Sequence, residues 1–127
     1  MTAPALELRG LVAGHDGVPV VHDVDLTVAA GEVVVLLGAN GAGKSTTLLT
    51  VSGLLPVLGG EVRLAGEVIG APGRRRSLGR AATLARRGLV HVPEDRGLFP
   101  DLTVAEHLRL TRRPADAPDE GEVLARF

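Results

Sequence analysis

The sequence predicts one α/β domain in which a strand covered on both faces feeds a glycine-rich loop and then a helix. Residues 33–37 form an unbroken apolar run, as expected of a strand with protein on both sides. Gly38-Ala39-Asn40-Gly41-Ala42-Gly43 follows at once, and a helix-compatible stretch runs from about Lys44 to Ser52, stopped by Gly53 and Pro56. Other segments alternate polar with apolar residues, which predicts half-buried strands with one wet face.

In chain order, Leu6 and Leu8 alternate with Glu7 and Arg9 and predict the first strand. Gly14-His15-Asp16-Gly17 reads as a turn. Val24, Leu26 and Val28 alternate with Asp23, Asp25 and Thr27, a second strand that Gly31 ends. Gly59-Gly60 opens a small hairpin, residues 61–64 and 67–69, turning at Ala65-Gly66. Leu78, Ala82 and Ala85 share one face of a short helix. Residues 89–92 read as a short strand ending at Pro93. Thr103-Val104-Ala105-Glu106 fits a capping box, with Val104 and Leu108 spaced for one helix face. Residues 112–118 look like a linker, and Asp119 is placed to cap a last helix carrying Val123 and Phe127.

Composition narrows the function. The 127 residues suit a single domain, residues 1–127, and 45% hydrophobic content can fill a core. A net charge of −1 and 2% aromatic residues argue against a nucleic-acid binder, so the run Arg74-Arg75-Arg76 with Arg80, Arg86 and Arg87 reads as a solvated face. There is no cysteine, which excludes disulfides and thiolate metal sites. His22, His91 and His107 show no metal-ligand spacing. No apolar run approaches the roughly 20 residues of a membrane-spanning helix, and no signal-peptide pattern opens the chain. A cytoplasmic protein is expected.

The loop carries the chemistry. Gly38 to Ser45 reads G-x-x-x-x-G-K-S, and Thr46 follows. A bound triphosphate concentrates negative charge away from water. Glycines let backbone N–H groups approach its oxygens, and the helix start adds further donors and partial positive charge. Lys44, the only lysine of the chain, would reach the β- and γ-phosphates, and the Ser45 hydroxyl would bind Mg²⁺.

The surroundings select among phosphate-loop proteins. The strand at 24–28, Gly31-Glu32, the apolar run, the loop, Gly53-Leu54 and Gly59-Gly60-Glu61-Val62 together resemble the ABC ATPase family. Val92-Pro93-Glu94-Asp95-Arg96, Phe99 and residues 102–108 are similar to that family's Q-loop region, in the form seen in ATP-binding subunits of branched-chain amino acid importers. The resemblance runs from about Leu6 to Leu110. It implies RecA-like core strands with an antiparallel β-subdomain, ATP and Mg²⁺ as cofactors, and ATP hydrolysis that energises import. It also implies transmembrane permease subunits and a second ATP-binding subunit as partners, at the inner face of the membrane.

Carried over by position, Gly38, Ala39, Asn40, Gly41, Ala42, Gly43, Lys44, Ser45 and Thr46 would hold the phosphates. His15 falls where the family places an aromatic ring against adenine; otherwise it is a solvent-facing turn residue. Glu94 takes the place of the glutamine that touches Mg²⁺ and the attacking water; otherwise it is a loop carboxylate, paired with Arg96. Residues 94–108 would face the permease.

The sequence holds no LSGGQ-like signature, no second apolar run ending in Asp-Glu and no switch histidine. The expectation is therefore an N-terminal part of the domain that binds nucleotide without turnover by itself. Two other readings are a passive nucleotide- or partner-binding module and a related ATPase of DNA repair. The 102–108 sequence and Glu94 suit the transporter better.

Overall fold

The computed structural model describes residues 3–74, 80–111 and 120–126, which fall into two compact units, Met1–His91 and Val92–Phe127. The first unit is built on a four-stranded antiparallel sheet in the order β2-β1-β3-β4. Its strands are β1 (Leu6–His15), β2 (Val18–Val28), β3 (Val57–Leu64) and β4 (Glu67–Gly70). Helix α1 (Lys44–Val51) stands between β2 and β3 in the chain, and α2 (Arg80–Arg86) follows β4.

Each hairpin turns through two residues at positive φ, Asp16 (50°) with Gly17 (82°) and Ala65 (49°) with Gly66 (82°). Such turns match the right-handed twist of paired strands. The second lies where the sequence places it. The first is tighter than the predicted four-residue turn, because Gly14 and His15 belong to β1 and pair with Pro19 and Val18.

The strands are also longer than their alternation suggests, for a structural reason. On β1 the buried positions switch from Leu8 to Leu11 and Ala13, that is, from even to odd. On β2 they switch between Val21 and Val24, and on β3 between Val57 and Val62. At each switch sits a residue in the left-handed region: Gly10 (φ 53°), Asp23 (φ 49°) and Gly60 (φ 69°). The register shifts there as well. A bulge adds one residue, bends the strand and flips the side-chain phase beyond it. The three bulges lie on neighbouring strands, and the Gly10 N–H donates to Asp25 Oδ1 of β2 at 2.8 Å.

The core gathers Leu8, Leu11 and Val62, each fully buried, with Val21, Val57 and Ile69 from the sheet, Val51 from α1 and Leu84 from α2. Helix α1 presents threonines to this core. The Thr47 and Thr50 hydroxyls donate to the carbonyls of Gly43 and Thr46, four residues back, so their burial leaves no unmade hydrogen bond. On α2 the buried residue is Leu84, whereas Ala82 is exposed; the expected stripe therefore lies on a different face, and Leu78 is outside the described residues. Arg87, just past α2, pairs with Glu67 of β4 at 2.6 Å.

Two predicted strands are not formed. Residues 33–37 and 89–92 pair with no strand among the described residues. A lone extended segment has no ladder to join, and its apolar side chains show the result. Val33, Val35 and Leu37 are 87%, 69% and 89% exposed and Val34 is exposed too, while Leu36 is half-buried. Val90 and Val92 are likewise exposed.

The second unit holds α3 (Val104–Thr111) and α4 (Glu120–Leu124). The capping box is present: the Thr103 N–H donates to Glu106 Oε2 at 2.8 Å, and the Glu106 N–H donates to Thr103 Oγ1 at 3.3 Å. Val104, at the helix start, is 67% exposed, whereas Leu108 is half-buried. Asp119 and Phe127 lie outside the described residues. The Phe99 N–H donates to His107 Nε2 at 2.9 Å, so the ring proton is on Nδ1 and donates to the Thr103 carbonyl at 2.9 Å.

The bonds from the Thr103 hydroxyl and then the Thr103 N–H hold the Glu106 carboxyl below the ordinary carboxylate range. A carboxyl whose pKa falls on folding stabilises above its unfolded pKa, and that contribution is lost as pH falls through the folded value. The first turn of α3 is expected to loosen in acid below the ordinary glutamate range. Thr103→Ala should return the Glu106 titration toward its ordinary value and weaken the helix start by about 1 kcal/mol at neutral pH. Side-chain NMR titration of Glu106 in both proteins checks this, and identical titrations would contradict it.

Candidate functional site: the loop at the start of α1

The glycine-rich loop turns into α1 through Gly41 at φ 83° and Gly43 at φ 90°. A Cβ at Gly43 would lie 2.6 Å from Val21 Cγ2, so the last loop residue is pressed against β2. This contact seats the start of α1 on the sheet. Gly43 is the N-cap, and no side chain caps the helix from that position. The first turn contains no acidic residue either. The N–H groups at a helix start have no partner within the helix, and together with the helix dipole they favour an anion.

Lys44 Nζ donates to the carbonyls of Gly38 and Ala39, both at 2.7 Å. The cation thus spans the loop from its last residue to its first. Within the loop, the Ala42 N–H donates to the Ala39 carbonyl at 3.2 Å. Asn40 and Ser45 are exposed and Thr46 is buried. His15 arrives from the end of β1, its Nε2 lying 3.3 Å from Thr46 Oγ1. The structure therefore brings together residues 38–46 and His15. The two residues of that contact are 31 apart in sequence, and no local pattern could have paired them.

Glu94 belongs to the other unit. It is exposed, in a turn where Arg96 takes a left-handed φ of 66° and the Gly97 N–H donates to Asp95 Oδ1 at 3.2 Å. No ion pair joins Glu94 to Arg96 among the described residues, so the pairing offered as its alternative is not found.

The donor set fits a nucleoside triphosphate: a bent glycine backbone, an uncapped helix start and one lysine over the loop. Among the described residues no group of three or more His, Asp or Glu is placed to hold a metal ion by itself. A Mg²⁺ here would be shared between nucleotide oxygens and the Ser45 hydroxyl. No described helix is long and apolar enough to cross a membrane.

Residues 21–126 match the ABC transporter family. The chain belongs to that family. This ABC-family chain is 41% identical over 112 residues to the xylose import ATP-binding protein XylG of Burkholderia cenocepacia, covering 87% of itself and 20% of that protein. It is 42% identical over 90 residues to the high-affinity branched-chain amino acid transport ATP-binding protein BraG of Pseudomonas aeruginosa, covering 70% of itself and 35% of that protein. Among solved structures it resembles an ATP-binding subunit of an ABC transporter, at 36% identity and a TM-score of 0.66, over 84% of this chain and 40% of that one. The ABC-family chain thus spans a fifth to about a third of the curated relatives named here. Members of the family are ATPases, and the α/β class read from the sequence stands.

Proposed function

We propose that this chain forms the phosphate-binding part of an ATP-binding subunit that energises import. The observation that carries the reading is the loop geometry: Gly43 wedged on Val21, an uncapped helix start and Lys44 bridging the loop. Residues 38–46 would hold the triphosphate of Mg·ATP, with Lys44 offering its charge to the terminal phosphates and the Ser45 hydroxyl a ligand to the metal. Glu94, in the other unit, is the residue to which the family resemblance would give the contact with Mg²⁺ and the attacking water. ATP hydrolysis there depends on positioning and electrostatic stabilisation, and it moves a membrane permease with which two ATP-binding subunits associate at the cytoplasmic face. The exposed side chains of Leu98 and Phe99, 65% and 58% accessible, suit a contact surface for that permease.

For the cargo, Val92-Pro93-Glu94 favours branched-chain or related amino acids. The likeness to a xylose import protein over more of the chain favours a sugar as the second reading.

Calorimetric titration with Mg·ATP and a phosphate-release assay test the core of this. Binding without release is the expected result, since the sequence offers no Asp-Glu pair after a second apolar run. A chain that binds neither Mg·ATP nor Mg·ADP would refute the reading. Lysine-dependent release would refute the absence of turnover.

A further inference from the structure

We propose that His15 positions the polyphosphate through the Thr46 hydroxyl, giving the site a second hold on the anion beside the loop; this rests on the phosphate-loop reading above. The family resemblance offers the face of the His15 ring to a base, or else leaves His15 as a solvent-facing turn residue. The structure commits the edge of the ring, placing Nε2 3.3 Å from Thr46 Oγ1.

The hydroxyls along α1 make the contrast. Those of Thr47 and Thr50 return to carbonyls of their own helix, and the hydroxyl of the C-cap residue Ser52 returns to Leu48. The Thr46 hydroxyl, in the first turn, instead meets a side chain from the sheet. A hydroxyl has one proton and two lone pairs. When imidazole N–H donates to Oγ1, the Thr46 proton is released to point at an anion held by the helix start. When imidazole accepts, that proton is used up. An anion at the helix start favours the first arrangement, so His15 orients a donor toward the phosphates without touching them. The hairpin geometry fixes where the ring begins, because His15 pairs with Val18 directly before the Asp16-Gly17 turn.

The experiment compares Mg·ATP with inorganic Mg·tripolyphosphate, which carries no base, by calorimetry on the whole chain. His15→Phe keeps a stacking face and loses the donor. It is expected to weaken both ligands by the same factor, about three- to tenfold. His15→Gln, whose amide can donate to Oγ1, should lose less tripolyphosphate affinity than His15→Phe and Thr46→Val. Thr46→Val should match His15→Phe, and the double variant should be no weaker than either single one, the mark of one shared route. Thermal unfolding of each variant confirms an intact fold, and the Gln and Val variants carry the test if the Phe variant does not fold.

A His15→Phe effect confined to ATP, or none on either ligand, overturns the proposal while leaving the loop reading in place. Parent protein that binds no tripolyphosphate, or binds it equally after Lys44→Ala, overturns both.

Discussion

Lys44→Ala is expected to abolish most Mg·ATP binding and leave the fold intact. Among the described residues the side chain donates to the carbonyls of Gly38 and Ala39, and it is absent from the core cluster. Its removal opens the loop but uncovers no buried apolar surface. What is lost is a cation facing a triphosphate. Hydrogen bonds to charged groups contribute roughly 1.5–3 kcal/mol each, so losing two of them predicts at least about a hundredfold weaker binding. Lys44→Arg should not restore it, because a planar fork cannot replace a compact ammonium over so small a loop. Calorimetry measures the affinities, and thermal unfolding should place parent and variant within a degree or two, given roughly 4–8 °C per kcal/mol for a small domain. Equal affinity for Mg·ATP would show that the lysine does not meet the phosphates.

The largest expected loss of stability comes from Gly60→Ala. A Cβ there would stand 2.2 Å from the carbonyl oxygens of both Arg9 and Gly10, with φ held at +69°. Those atoms are backbone of β1, the central partner of β2 and β3, and they cannot rotate aside. Left-handed strain costs about 1–3 kcal/mol and overpacking a similar amount. Together they predict a loss of ~3 kcal/mol or more and disruption of the bulges at Gly10 and Asp23. Gly17→Ala is the control: φ is +82°, yet nothing lies within 4 Å of the added Cβ, so only the backbone strain applies. Urea unfolding of the two variants separates clash from strain. Equal losses would mean that the sheet gives way at little cost.

The course of the glycine-rich loop was legible because its geometry is local. Gly41, Gly43 and Lys44 need only their own neighbours to bend the chain, start a helix and bridge the loop. The Ala65-Gly66 turn and the Thr103–Glu106 capping box were legible for the same reason. The sheet was read short because Gly10, Asp23 and Gly60 flip the side-chain phase in mid-strand, so a period-two search stops at each bulge. The contact of His15 with Thr46 and the wedge of Gly43 on Val21 depend on long-range packing, and spacing carries no trace of them. Residues 33–37 failed in the opposite sense. The apolar run states a preference for two covered faces, and a strand forms only where partners supply the ladder.

That bare segment makes the two limbs of the loop mechanically unequal. On the downstream side, α1 is clamped to the sheet through Gly43 and Val21. The upstream limb enters from residues 33–37, which pair with no strand among the described residues. The bonds of Lys44 to the Gly38 and Ala39 carbonyls are what hold that limb, so a nucleotide that drew Lys44 onto its phosphates would have to order the limb itself, at a cost in conformational entropy that subtracts from affinity. Any strand that paired with residues 33–37 would meet that cost in advance and tighten ATP binding without touching the ligand. By reciprocity, bound ATP would favour that pairing by the same free energy.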